Sequence, residues 1–416
     1  MVVRGGFGIY PVQIGVFGND KAYQMGYSQT TNMVPSLNGG VSFAATLATP
    51  FPSGVQLPVG NTLGVNTFVG NAPSFYNPST PIPYTMEESL GVQYQLPGRI
   101  LLETSYVGNR CIKLQLGRAD AGLPDQYLST LTSRDATTIN YLSASIPNPF
   151  AGLLPGSTLN ANVISRATLL HPYPQFTSLS SVNSQGLTWY NSLQMRVERR
   201  MGQGVTLTGA FTWSRQMQQN SYYNAMDPVP TRTLGNFDIP KNLALSGIYE
   251  LPVGRGKAFL STMPRAADEV LGGWRVSAVY GLESGWPLSW GNIFFNGNLS
   301  NIAIPAKQRT PTQWFNTSAG FVTASTAQPA SNMRYFPQYL PSVRNGYINN
   351  WDMALTKEIS IGERVHVDLR AHFLNAMNHP YGWAGADTTP TDSGFGSVGT
   401  MYQNPRITQI SVKFKF

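Results

Sequence analysis

The sequence predicts an all-β fold, a transmembrane antiparallel β-barrel of which this chain carries about ten strands. Three observations lead there. The composition fits neither a soluble domain nor a helical membrane protein, apolar residues recur at every second position, and the connections alternate between very short and very long.

Charged residues make up 12% of the 416 and aromatics another 12%, with 41 Gly and 30 Pro. That is about half the ~25% charge of an ordinary globular chain. Mean hydropathy is nevertheless −0.15, and no apolar run reaches the ~20 residues a membrane helix needs. A barrel reconciles the two, because lipid-facing and lumen-facing residues alternate along each strand and average to near-neutral hydropathy. The formal charge of +8 is spread thinly, with its densest group at Arg196, Arg199 and Arg200 and no recognition-helix pattern, so nucleic acid is not an expected partner. Cys111 is the single cysteine, which excludes an intrachain disulfide and a thiol metal centre. Met1-Val-Val-Arg-Gly-Gly lacks the regions of a secretory signal. The expectation is a fragment, or a gene begun at an internal Met.

Strands are expected at about 2–10, 84–96, 99–109, 188–200, 204–217, 241–251, 273–287, 346–360, 363–376 and 405–416. In 188–200, Leu193, Met195 and Val197 oppose Gln194, Arg196 and Glu198. In 204–217, Val205, Leu207, Gly209, Phe211 and Trp213 oppose Thr206, Thr208, Ala210, Thr212 and Ser214. In 363–376, Val365, Val367, Leu369, Ala371 and Phe373 oppose His366, Asp368, Arg370 and His372. The last strand sets Ile410, Val412, Phe414 and Phe416 against Ser411, Lys413 and Lys415. Polar groups at every second residue would break the apolar face of a helix, but they suit a strand between lipid and water.

The connections alternate. Short turns fall at Pro97-Gly98, Met201-Gly202-Gln203 and Ile361-Gly362, with a moderate one over 252–272. Long Pro/Gly/Asn-rich segments fill 11–83, 110–187, 218–240, 288–345 and 377–404. Outer-membrane barrels turn briefly in the periplasm and extend long loops outside, so a periplasmic C-terminus puts every short turn on the periplasmic side. Aromatics follow the same division: Tyr84, Tyr106, Trp189, Trp213, Trp286 and Trp351 near external ends, and Tyr94, Tyr249, Trp274, Phe414 and Phe416 near periplasmic ends. Two such belts suit the two headgroup levels of a membrane. A soluble β-sandwich explains single strands but not both belts with the loop asymmetry.

Several stretches carry a family resemblance. They are VVRGGFGIY at 2–10, PYTMEESLGVQYQLPGRILLETSYVGNR at 83–110, IPNPFAGLLPGSTL at 146–159, LLHPYPQF at 169–176 and YNSLQMRVERRMGQGVTLTGAFTWSRQM at 190–217. DIPKNLALSGIYELPVGRGKAF at 238–259, GGWRVSAVYGLESGWPLS at 272–289, FLNAMNHPYG at 373–382 and NPRITQISVKFKF at 404–416 complete the set. In this order the chain resembles the C-terminal barrel of TonB-dependent receptors of the Oar-like, carboxypeptidase-regulatory-like type. The resemblance implies residence in the cell outer membrane and, in the parent protein, an N-terminal regulatory-like domain, a plug with an energy-coupling box and about twenty-two strands. Residues 1–416 would then be the C-terminal portion of the barrel, with the plug and regulatory-like domain absent. The implied partners are outer-membrane lipid, the barrel-assembly machinery, TonB acting through the absent plug, and an extracellular ligand that the sequence does not identify.

Two groups of candidate residues follow. Ile410, Val412, Phe414 and Phe416 form a terminal strand ending in an aromatic, which the resemblance implies is read as an assembly signal; anchoring at the interface is the simpler role. Glu103, Arg196, Glu198, Arg275, Glu283, Asp352, His366, Asp368, Arg370 and His372 fall on polar phases and are expected to line the lumen, facing water, a plug or a solute. The His/Asp/Arg/His run could also suggest a metal, but spaced polar side chains are the norm in a wet lumen. No catalytic residue, metal site or cofactor is expected: there is no Gly-x-Ser-x-Gly and no His-Glu-x-x-His, and Gly254-Arg255-Gly256-Lys257 lacks the strand-to-helix context of a phosphate loop. Asn-Pro-Phe at 148–150 and His-Pro-Tyr-Pro at 171–174 are expected to fix loop geometry through proline, or to offer exposed aromatics to a ligand. Uptake through a TonB-dependent receptor barrel is thus the expected function. A non-energised porin or surface adhesin is the alternative, and a barrel-embedded hydrolase would need a Ser/His pair not evident here.

Overall fold

The computed structural model describes residues 1–12, 26–27, 31, 33, 35, 41–77, 79–154, 157–202, 204–361, 365–379, 385–399 and 404–416. The expected turn residues Gln203 and Gly362, the first two residues of the expected strand 363–376, and parts of segments 11–83, 110–187 and 377–404 lie outside these. Ten long strands form one sheet: β1 (Val2–Pro11), β2 (Tyr84–Leu96), β3 (Ile100–Ala119), β4 (Ser180–Gly202), β5 (Val205–Gln219), β6 (Lys241–Glu250), β7 (Trp274–Glu283), β8 (Ile348–Ile361), β9 (Val365–Leu374) and β10 (Ile407–Lys415). Each pairs antiparallel with its sequence neighbours, from β1 through to β10. Among the described residues β1 and β10 are not paired with each other, so the sheet is an open part of a barrel. No helix of the described residues is long and apolar enough to cross a membrane.

The short hairpins have a local cause. Leu96 pairs with Ile100 across Pro97-Gly98-Arg99, and both Gly98 (φ 79) and Arg99 (φ 62) adopt the left-handed conformation such a tight connection requires. Proline presets the first turn residue and glycine takes the second without a Cβ clash.

Register makes the single-strand alternation collective. Cross-strand partners share a face. Leu90 lies opposite Gly5 and Tyr106, Leu193 opposite Tyr106 and Trp213, and Leu245 opposite Gly209 and Tyr280. Leu355 lies opposite Val276 and Ala371, which in turn faces Ile410. A one-residue slip in any ladder would invert everything beyond it; none occurs along this row. One face is therefore apolar and outward-exposed: Leu90, Val92, Leu193, Met195, Leu207 and Trp213 are all solvent-accessible, and Ile410 is 78% exposed. A soluble surface does not carry so wide a contiguous apolar patch.

Most strands end within two residues of expectation, and three regions differ. β3 and β4 continue together to Ala119 and Ser180, through register shifts between Ile112 and Leu116 where Lys113 takes φ 60. The irregularity breaks the alternation there, which hides the continuation from a period-two reading. β7 stops at Glu283, and Pro287–Ser289 peels off to pair with Tyr339–Arg344, so Trp286 lies beyond the strand, edge-on to Phe237 at 5.4 Å. The moderate connection after β6 contains a helix, Arg265–Leu271.

The long segments are also folded. Residues 288–345 and part of 385–398 close over a hydrophobic core of Trp290 (1% exposed), Phe315 (0%), Ile302 (0%) and Phe336. Trp290 stacks on Phe321 at 5.3 Å and meets Phe315 and Phe336 edge-on. These segments cap the sheet at the end opposite the short turns.

Candidate functional site on the polar face and its cap

The face opposite the apolar one holds all ten polar candidates, in the order the strands impose. Glu103 pairs with Arg196 across β3 and β4, and Arg196 Nη2 lies 3.3 Å from Glu198 Oε2. Arg275 pairs with Glu250, at 3.9 Å, and Lys257 approaches the same carboxylate at 3.7 Å. Glu283 accepts from Asn242 Nδ2 at 3.1 Å, and Asp352 accepts from the Asn375 backbone N–H at 2.8 Å. Toward the short-turn end, Asp368 meets Lys415 at 2.8 Å and Arg370 at 3.5 Å, while His366 Nδ1 stands 3.6 Å from Glu358. His372 pairs with Ala354 and Gln409 and joins none of these ion pairs. The ten are thus strung along the sheet, six of them in small ion-paired groups, rather than gathered into one centre. Among the described residues no group of three or more His, Cys, Asp or Glu is placed to hold a metal.

On the terminal strand, Ile410, Val412 and Phe414 pair with Ala371, Leu369 and Val367 on the apolar face, and all three are exposed. Phe416 lies just past the strand at 94% exposure. Polar groups enter the apolar face mainly toward the cap. There Tyr106 Oη donates between Glu88 (3.0 Å) and Asn191 (2.8 Å), and Arg232 stacks over Trp189 at 4.8 Å, beside a cleft of about 670 Å³. At the short-turn end Lys357, on the same face, is buried against Trp274 at 5.4 Å and donates to the Gly272 carbonyl.

The cap is pinned to the sheet by one buried carboxylate. Asp238, 0% exposed, accepts from the Gln216 backbone N–H of β5 at 2.7 Å and from Arg344 Nη2 at 2.6 Å. Arg344 also donates to the carbonyls of Asp238, Gly285 and Pro341, and burial holds its guanidinium below its ordinary pKa. The segment after β5 and the one after β7 are tied to each other and to the end of β5 in this way. Farther out, Arg334 stacks on Tyr223 at 4.5 Å, and Asn332 Nδ2 donates to the carbonyls of Leu131 and Ser133. Asn148 of the Asn-Pro-Phe stretch is buried, donating to Leu159 and Ala161 and accepting from the Phe150 backbone N–H. Its contacts are those of a loop staple. Asp135 caps the helix Ala136–Ser143 by accepting from the backbone N–H groups of Thr137 and Thr138.

Sequence reasoning missed the cap's own cavity. Arg309, Trp314, Tyr347 and Asn349 line about 380 Å³ beside the upper end of β8. No periodicity marks them, because they come together from an irregular segment and one strand end.

Two solved structures are similar to the chain at low identity. The outer membrane transporter YddB from Escherichia coli matches with a TM-score of 0.40 and 11% identity, over 83% of this chain and 34% of that one. The FrpB iron transporter from Neisseria meningitidis matches with a TM-score of 0.35 and 9% identity, over 83% and 33%. The chain therefore spans about a third of the length of these proteins. No curated protein matches in sequence. Residues 1–409 match the family model described as an outer membrane beta barrel domain, and with its antiparallel sheet, one face apolar and the other polar, the chain belongs to that family of the cell outer membrane.

Proposed function

We propose that this chain forms part of the barrel of a TonB-dependent outer-membrane receptor that takes up a ligand met first by the cap. The observation that carries the reading is the pairing of an ion-paired polar face with a folded, pinned cap at one end of it. A passive pore needs the polar wall but not an ordered aromatic lobe with its own cavity. In this reading the apolar face meets lipid, the ten polar candidates line the lumen, the short turns are periplasmic and the cap is extracellular. Among the described residues the two edges, β1 and β10, expose unpaired backbone groups that hydrocarbon does not tolerate, so in this reading further strands complete the wall. Ile410, Val412, Phe414 and Phe416 present the strand that the assembly machinery reads.

The test is retention of the purified full-length protein on the periplasmic domain of TonB, together with its conductance in a planar bilayer. Retention with little steady conductance is expected. A steady open-pore conductance without retention would favour the porin reading.

A further inference from the structure

The cap cavity of about 380 Å³ lies within the ~300–1,000 Å³ typical of small-molecule sites. Its lining includes Arg309, Trp314, Tyr347, Asn349, Asn378 and His379, and among the described residues no Asp or Glu. Arg309 is half-buried and forms no ion pair among the described residues. Its Nε donates to the Ile304 carbonyl at 3.3 Å, and its guanidinium lies 5.7 Å from the Trp314 ring centroid. That one hydrogen bond fixes the side chain and leaves both Nη groups without a partner among the described residues, the fork that binds an oxyanion through two parallel N–H bonds. A cation partly withdrawn from water with no countercharge among the described residues carries a cost, and burial pulls the Arg309 pKa down accordingly. An anionic guest would relieve that cost.

The rest of the wall narrows the guest. The Trp314 indole is itself held by its Nε1–H, which donates to the Arg344 carbonyl at 2.7 Å, and Tyr347 is exposed beside it, so two aromatic rings border the space. Asn349 Oδ1 is buried with no hydrogen-bond donor, and a small rotation of its side chain toward the cavity would give it a hydroxyl or N–H of a guest. His379 Nδ1 is engaged by the Asn349 carbonyl at 3.0 Å, which leaves its other ring nitrogen for a guest. We propose that this cavity binds a hydroxylated ring carboxylate of the uronic-acid class. The carboxylate lies on the Arg309 fork, the ring's C–H face on Trp314 and Tyr347, and a hydroxyl on Asn349. The inference rests on the reading of the chain as a ligand receptor and names the class of ligand.

Calorimetric titration of the full-length protein with glucuronate, its neutral analogue glucuronamide, and inorganic phosphate tests this. Glucuronate should bind at least tenfold more tightly than either of the others. Arg309→Gln should abolish the preference over glucuronamide, and Tyr347→Ala should weaken glucuronate and glucuronamide alike. Equal affinity for glucuronate and glucuronamide, or a preference unchanged in Arg309→Gln, would overturn the proposal. Phosphate binding as tightly as glucuronate would also overturn it, reducing the site to a simple anion trap. Glucuronate binding without retention on TonB would leave the cavity assignment standing and remove the uptake reading, and the converse result would do the reverse.

Discussion

Asp238 is the residue whose loss should most selectively detach the cap. In Asp238→Ala, the Arg344 guanidinium, whose side chain is only 13% exposed, would keep its carbonyl acceptors but lose its countercharge. Removing one partner of a buried ion pair costs ~3–5 kcal/mol. The Gln216 N–H loses its acceptor as well, adding ~1 kcal/mol. Arg215, at 3.8 Å with a side chain 47% exposed, contributes little, ~0–1 kcal/mol after solvent screening. At ~1.4 kcal/mol per factor of ten, a combined ~4–6 kcal/mol should raise the local opening equilibrium of residues 284–347 by ~10³–10⁴. Amide hydrogen exchange on the full-length protein in lipid nanodiscs reads this directly. Protection should fall by that factor over 284–347 and stay unchanged over β2–β4, whose ladders do not involve Asp238. The double variant Asp238→Ala/Arg344→Met should recover most of the loss, because it removes the stranded charge with its partner. Exchange within threefold of wild type in Asp238→Ala, or a double variant as loose as the single one, would refute the reasoning.

Three further outcomes are expected. Val412→Arg, placing a cation on the apolar face between Ile410 and Phe414, should destabilise the folded protein in lipid by ~2–4 kcal/mol near the bilayer midplane, whereas Lys413→Gln on the opposite face should be nearly silent in a urea titration. Deleting Phe416 should slow insertion in pulse-chase assembly; unaltered kinetics with only a lowered melting temperature would leave it an anchor. Hydrogen bonds from Thr138 and Ser129, outweighing a small opposing effect of desolvation, hold the Asp135 carboxyl at about 2 against an ordinary 3.8. A depressed pKa stabilises the fold above the unfolded value, so protection of helix 136–143 should persist down to about pH 4 and fall between there and pH 2; loss already at pH 6 would exclude Asp135 as the cause.

What was legible in the sequence was what repeats. Leu193, Met195 and Val197, or Ile410, Val412 and Phe414, announce a strand because side chains alternate faces, and Pro97-Gly98 announces the hairpin because few residues accept its backbone. The polar candidates followed from the same rule: once the phase of β9 is set, His366, Asp368, Arg370 and His372 must share a face. Their ion pairing was less legible, since Asp368 meets Lys415 only through the register of two strands with a long segment between them. The cap was illegible. Trp290, Phe315 and Phe336 obey no period, and their core forms from segments that read as irregular Pro/Gly-rich loops. Arg309 is an unremarked arginine in a stretch, 284–351, that holds no Asp or Glu, and becomes a candidate only when folding sets it beside Trp314 and Tyr347.

The central claim is that one face of this sheet meets lipid and the other water. Single spin labels placed in turn at 205–213 of β5, in the full-length protein reconstituted into vesicles, test it most directly through collision with oxygen and with a water-soluble nickel chelate. Oxygen accessibility should peak at Val205, Leu207, Gly209, Phe211 and Trp213 and dip at Thr206, Thr208, Ala210 and Thr212, with period two. A flat profile, or the same period in the opposite phase, would contradict the account.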